Sequence, residues 1–254
     1  MAATPGPESV RSARAFELAV ESVIDYIERS RVSVGSRLPG VAELAEALDV
    51  SKPTVRQALA ALQESGMLAV RRGGGAGVYL ISELAPVFVI SSDVLHEEQI
   101  VEALTARRVI EGAVTLHALQ VATDQDLAEI DRSVALMVEH VDDPVLGARA
   151  HAKFHRAVAR ASQSRQLVDA THAINRLLAP VRATYPPAGK DDRTTLVVHR
   201  RQAEVMRDRD AEALGVVMDE HFRQLEDVVA ARRGVSWADL WGPAGPPTGL
   251  RLAL

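Results

Sequence analysis

The sequence has no cysteine, which excludes disulfides and thiolate metal sites and suits a reducing compartment. Aromatic residues make up only 4% of it, and with so much Ala, Leu and Val the composition favours helix over sheet. No run approaches the roughly 18 apolar residues of a membrane span, and the N-terminal residues hold no signal-like apolar stretch. A soluble, cytoplasmic protein with no membrane partner is expected. At 254 residues, 47% hydrophobic and 25% charged, the chain is long enough for two domains of ordinary globular composition.

What is present is most specific between Leu38 and Leu80. Val41, Leu44, Ala45 and Leu48 recur at three- and four-residue spacing, which puts them on one face of a helix that ends at the Asp49-Val50 turn. Ser51 then stands as an N-cap and Pro53 falls in the first turn of a second helix, where a missing N–H is harmless. Its buried stripe is Val55, Ala58, Leu59 and Leu62, leaving Ser51, Lys52, Thr54, Arg56 and Gln57 to face outward. In a helix-turn-helix this end of the second helix enters the major groove, where Arg grips guanine and Gln grips adenine through paired hydrogen bonds. Gly66 reads as the C-cap, and Met67-Val70 and Gly77-Leu80 read as strands of a wing, joined through Arg71-Arg72-Gly73-Gly74-Gly75. Arg71, Arg72 and Gly74 are therefore candidate contacts to phosphate or to a narrow minor groove.

The net charge of −5 looks unfavourable for a DNA binder, but from Ser51 to Arg72 the charges are Lys52, Arg56, Arg71 and Arg72 against Glu64 alone. A basic face on an acidic chain limits indiscriminate binding.

Along the chain, residues 1–10 are expected to be loose and 11–80 to form the winged helix-turn-helix, with a helix from about Ser12 to Arg29 packing Phe16, Val20, Val23, Ile24 and Ile27 beneath it. A linker is placed at 81–96, with Val87-Phe88-Val89-Ile90 left unassigned between strand and docked segment. Residues 97–233 read as six helices at about 97–122, 124–141, 144–162, 164–183, 192–208 and 210–232, with Pro180 placed to bend the fourth. The tail 234–254 is expected to be irregular, its two tryptophans covering an apolar patch or a partner subunit. The fold class is mostly α: a winged head followed by an all-α bundle.

Five of the eight histidines lie in the later helices of the bundle. His151 and His155 are four apart and share a helix face, and His199 and His221 fall on the expected fifth and sixth helices of the bundle, each flanked by apolar positions that turn the same face inward. Three helices can aim four imidazoles at one centre, as bundles build metal sites.

The segment from Leu38 to Gly66 resembles the DNA-binding domain of the GntR family of bacterial transcription regulators, through Leu38-Pro39, Glu43-Leu44-Ala45, Val50-Ser51, Pro53-Thr54-Val55-Arg56, Ala58-Leu59, Leu62 and Gly66. Where that family usually has Ser-Glu-Arg after Leu-Pro, this chain has Gly40, Val41 and Ala42, so one operator contact is missing; Lys52 stands where Arg is more usual. Residues 97–230 resemble the ligand-sensing FCD domain of FadR-type members, whose Asp-x-x-Phe-His signature corresponds to His151-Ala152-Lys153-Phe154-His155 and whose later histidines correspond to His199 and His221. The resemblance implies a divalent metal held by these positions, a small carboxylate effector bound to it, and Arg107 lining the effector pocket with Arg108 left outside. His172 has no counterpart and is expected to be structural.

Because His151 replaces the Asp, the ligand set becomes all imidazole, which favours zinc or nickel and leaves the ion's charge uncompensated. Retention of the metal is expected to weaken below pH ~6.5, where free imidazole takes up a proton. The resulting expectation is a ligand-responsive transcription regulator, most often a repressor in this family, acting as a homodimer on a pseudo-palindromic operator. An architectural DNA-binding dimer without a metal is the alternative. A metalloenzyme is disfavoured, because Ala152 and Lys153 occupy the interval where a zinc protease helix carries its general-base Glu.

Overall fold

The computed structural model describes residues 7–87, 97–185 and 191–247 and divides the chain into two compact units, Met1–Ile90 and Ser91–Leu254. In the first unit, α1 (Pro7–Arg29) supplies Val20, Val23, Ile24 and Ile27 to a core shared with α2 (Val41–Leu48) and α3 (Lys52–Glu64). The helix starts earlier than the sequence suggested, because Pro7 fits the first turn, so residues 7–10 of the stretch expected to be loose are helical; residues 1–6 lie outside those described.

Leu44 and Ala45 of α2 and Val55, Ala58, Leu59 and Leu62 of α3 complete that core, with Val41 and Leu48 partly buried at its edge. Glu43 accepts from the Gly40 amide at 2.7 Å, tying off the start of α2. Asp49 takes a left-handed conformation (φ 53°) and ends it. Ser51 caps α3 by accepting from the Thr54 amide at 3.3 Å. At the other end the C-cap is Ser65, one position before the Gly66 read from the sequence, and Gly66 follows in the left-handed region (φ 77°).

The wing is an antiparallel pair, β1 (Leu68–Arg71) and β2 (Gly77–Leu80), in the register Leu68↔Leu80, Ala69↔Tyr79, Val70↔Val78 and Arg71↔Gly77. The first strand is displaced by one residue from the expected Met67–Val70, because Met67 turns into the core at 1% exposure and its carbonyl accepts from Ile81 and Ser82. A third stretch lies along β2: Arg37 bridges to Tyr79, Leu38 donates to Val78 at 2.8 Å, and Leu80 donates to Ser36 at 3.0 Å. The expected linker begins inside this unit, since Leu84 and Ala85 are buried and Ala85 joins the head's core. Of the 87–90 stretch, Val87 is exposed and the rest lies outside the described residues.

The described residues of the second unit run as six long helices: α4 (Glu97–Val121), α5 (Asp124–Glu139), α6 (Pro144–Ala161), α7 (Arg165–Thr184), α8 (Asp191–Asp208) and α9 (Ala211–Arg233). The breaks fall where capping side chains stand. Thr123 and Asp126 cap each other's backbone before α5, Asp143 accepts from Val145 and Leu146 at 2.9 Å before α6, Ser164 caps α7, and Asp210 accepts from Ala213 before α9. Helix α7 continues through Pro180 to Thr184.

The tail is not irregular throughout. Ser236 and Asp239 cap a short helix, α10 (Trp237–Trp241), which a 3₁₀ turn (Gly242–Ala244) follows. Leu240 and Trp241 are buried against Ile100, Leu104, Leu178 and Val229, and the Trp237 indole donates to Glu226 at 2.8 Å. Burial of two aromatic faces with one hydrogen-bonded N–H offsets the entropy of ordering a segment that reads as a loop by composition.

Candidate functional site

Each unit holds one group of the candidate site residues expected from sequence. In the head, Lys52, Arg56 and Gln57 are exposed on α3 and, among the described residues, have no side-chain partner. Thr54 and Ser51 are committed to the cap, their hydroxyls 2.7 Å apart, so they present that helix end through a fixed hydroxyl pair and not through free rotors. Arg72 and Gly74 are exposed on the wing, with Gly73 (φ 82°) and Gly75 (φ 85°) making the turn that L side chains resist.

The wing also carries a cation that sequence reasoning missed. Arg37 is exposed on the third stretch, and its side chain lies across Gly77, where a Cβ would come within 2.5 Å of its Nε. Its bridge partner Tyr79 supports Arg71 on its ring. Bare Gly77 thus makes room for a second arginine on the face that holds Arg71; nothing in the spacing around Leu38-Pro39 signals this.

In the helical unit the four histidines meet. His151 and His155 project from α6, His199 from α8 and His221 from α9, with ring centres 4.6 Å apart for His151–His155, 4.7 Å for His151–His199, 5.2 Å for His155–His199, 5.2 Å for His155–His221 and 4.9 Å for His199–His221. Phe154 packs edge-on against His155 and His199 and closes the apolar side of the cluster.

The ligand atoms sort into two overlapping groups, each with its atoms within 4.8 Å of one another: His151, His155 and His199, and Glu111, His155 and His221. In the first, the His155 Nε2 lies 3.1 Å from that of His151 and 3.4 Å from that of His199. The His199 Nδ1 is 2.6 Å from the Thr195 carbonyl, which can only accept, so the proton sits on Nδ1 and Nε2 is bare. In the second, Glu111 of α4 lies 2.8 Å from His155 Nδ1 and 2.9 Å from His221 Nε2.

His221 is over-subscribed. Its Nε2 faces both that carboxylate and an Arg107 N–H at 2.8 Å, of which a neutral ring nitrogen serves one, while its buried Nδ1 has no hydrogen-bond partner. Bare ring nitrogens converging beside a buried, unpartnered one are a donor set that a borderline divalent ion fits. His151, His155 and His199 are the residues that would hold it, with His221 adjoining.

Electrostatics keep these rings neutral. Burial, reinforced by His155 and His199, holds His151 well below the usual histidine range, and burial with His221 and His155 does the same to His199. Burial lowers His155 and brings His221 down to about 4, in both cases against the pull of Glu111. Burial alone would raise the Glu111 carboxyl, but His155, Arg107 and His221 outweigh it and hold it well below the carboxylate norm.

Arg107 is 4% exposed and reaches Glu111 at 3.1 Å, His221, and the Phe222 carbonyl at 3.4 Å, so it borders the cluster instead of lying in solvent. Arg108 corrects the expectation that it is left outside. It is buried, donating to both oxygens of Glu226 (2.6 and 2.8 Å) and to Asp219 at 2.8 Å. Both neighbours fall on the buried side of α4, which packs against α6, α7 and α9, while Glu102, Val109, Ala113, His117 and Gln120 form its exposed stripe.

Two more members were not foreseen. Glu111 reads in sequence as an ordinary i, i+4 partner of Arg107. Arg182 of α7 bonds Asn175 at 3.3 Å, and burial with the nearby charge of Arg107, opposed by Glu111, lowers it to about 10, so it stays a cation at neutral pH. His172 is buried on α7, outside both groups.

The family model described as "Bacterial regulatory proteins, gntR family" matches residues 17–78, and that of the FCD domain matches residues 102–224. The Uxu operon transcriptional regulator of Escherichia coli (strain K12) is 29% identical over 160 residues, 61% of this chain and 62% of that protein. The HTH-type transcriptional repressor NanR of Salmonella arizonae is 30% identical over 150 residues, 56% of each chain. The chain thus aligns with little more than half the length of these relatives. Among solved structures, E. coli McbR/YncC is similar in fold, with a TM-score of 0.52 at 18% identity, covering 87% of this chain and 97% of that one.

Proposed function

The chain belongs to the GntR family of bacterial regulatory proteins and carries an FCD domain, and from that premise we propose that it is a DNA-binding repressor that responds to a small carboxylate through a metal centre. The family and the relatives named above are transcription regulators and not enzymes.

The observation that supports the sensing half is the convergence of the His151, His155 and His199 ligand atoms within 4.8 Å beside a buried arginine. A bound zinc or nickel ion would supply a Lewis-acid anchor for one carboxylate. Arg107 then orients the anion, and the cationic Arg182 adds to the attraction. Burial keeps the rings unprotonated, and Phe154 excludes water from one side.

For the DNA half, Lys52, Arg56 and Gln57 reach base edges and phosphates from α3, and Arg71, Arg72 and Gly74 from the wing, while Ser51 and Thr54 hold the helix end against the backbone. A homodimer on a pseudo-palindromic operator doubles the few base pairs one head can read. Effector binding changes operator affinity by a coupling of ~1–3 kcal/mol. The working compartment is the cytoplasm.

The test is elemental analysis of the purified protein followed by a thermal-shift screen of small carboxylates with and without zinc, and operator binding with each hit. A carboxylate that raises the melting temperature only with metal and changes DNA affinity supports the reading. Absence of any metal-dependent ligand would overturn the sensing half and leave the DNA half to its own test.

A further inference from the structure

This inference rests on reading the histidine cluster as a metal centre and deepens it. Among the described residues, Glu111 is the one acidic member of the two ligand groups. It stands on α4, whereas every imidazole comes from α6, α8 or α9. It is 8% exposed, one oxygen accepts from Arg107 Nε at 3.1 Å, and the other lies 2.8 Å from His155 Nδ1. An ionised carboxylate only accepts, so the shared proton of that contact belongs to Nδ1. The lone pair of His155 is then on Nε2, the atom 3.1 Å from His151 Nε2 and 3.4 Å from His199 Nε2. With His199 fixed the same way by the Thr195 carbonyl, two of the three rings in the first group carry an acceptor that dictates which nitrogen is bare.

We propose that Glu111 is the positioning residue of the metal centre, holding His155 in the orientation and tautomer that turn a bare Nε2 toward His151 and His199. It touches no ion in this role; it acts through the ring of His155. Its pairing with Arg107 links the same carboxylate to the residue that would clamp the effector, so ligand and metal share one support.

The experiment is zinc titration against a competing chelator on the full chain. Glu111→Leu removes the acceptor and is expected to bind zinc 10–100-fold more weakly. Glu111→Gln, which keeps an acceptor oxygen, is expected to recover most of that loss. Arg107→Met/Glu111→Leu should stay weak; recovery of wild-type affinity there would overturn the proposal, because the loss would then come from an unpaired guanidinium. Wild-type affinity in Glu111→Leu would also overturn it, leaving the metal centre itself intact. A wild type that binds no zinc would overturn both. If Glu111→Leu does not fold, the histidine ¹⁵N–¹H spectrum of the wild type decides: His155 protonated at Nδ1 supports the role, and His155 protonated at Nε2 contradicts it.

Discussion

The guanidinium of Arg71 lies 4.2 Å from the centre of the Tyr79 ring, and the hydroxyl of the same Tyr79 donates to the Gly75 carbonyl at 2.7 Å. One side chain therefore supports a cation and pins the tip of the wing. Arg71→Ala and Arg72→Ala are each expected to weaken DNA binding evenly across sequences and to reduce the slope of log K against log salt by about 0.9. Tyr79→Leu should weaken binding as well, because Arg71 loses a contact of about 0.5–1 kcal/mol and the turn loses its tie. Fluorescence anisotropy at several salt concentrations reads all three; unchanged slopes would place the wing away from the duplex.

Arg56 behaves differently in principle, because a base contact carries sequence. Arg56→Ala should cost about 1–3 kcal/mol on the operator and far less on random duplex, with the head still folded, since the side chain is exposed. Equal losses on both duplexes would reassign Arg56 to the phosphate backbone.

The buried rings make stability depend on pH. In the folded, metal-free protein His221 is brought down to about 4 by burial against the pull of Glu111, and burial also keeps His151 and His199 well below their usual range. The unfolded chain takes up these protons from about pH 6.5. Stability is thus complete above that pH and is lost as pH falls toward the folded-state values, at up to about 1.4 kcal/mol per pH unit for each ring. Melting temperatures in chelator from pH 7.5 to 5 should fall; a flat or rising profile would mean the rings are not buried neutral. The same depression moves metal loss below the pH ~6.5 expected from free imidazole, since protons compete less well for these nitrogens.

Arg108 ties α4 to α9 through Glu226 and Asp219. Burial alone would lower its pKa, but Glu226 and Asp219 outweigh that and raise it. Arg108→Met leaves Glu226 buried at 1% exposure without its cation and is expected to cost about 3–5 kcal/mol in urea denaturation. Arg108→Met/Glu226→Leu should recover much of it. A small single-variant effect would mean the pair is water-compensated.

Much of this was legible because local signals carried it. Ser51, Pro53 and the stripe from Val55 to Leu62 fix the recognition helix, and the i, i+4 spacing of His151 and His155 fixes their shared face. What was not legible depends on packing between distant elements. Glu111 and Arg108 are charged residues on the side of α4 that packs against α6, α7 and α9, and a stripe traced by apolar residues does not count buried charges. Arg37 reaches the wing by pairing across some forty residues of chain, a tertiary relationship. The helix at Trp237 is held by Glu226 and an apolar floor that its own residues do not announce.

The measurement that bears most directly on the centre is zinc content per chain after equilibration and desalting, for the wild type, His155→Ala, His199→Ala and, as a control at an exposed site on α4, His117→Ala. One ion per chain is expected for the wild type and His117→Ala, with loss of the ion in His155→Ala and His199→Ala. Equal zinc in all four proteins, or none in any, would contradict a metal centre built from His151, His155 and His199.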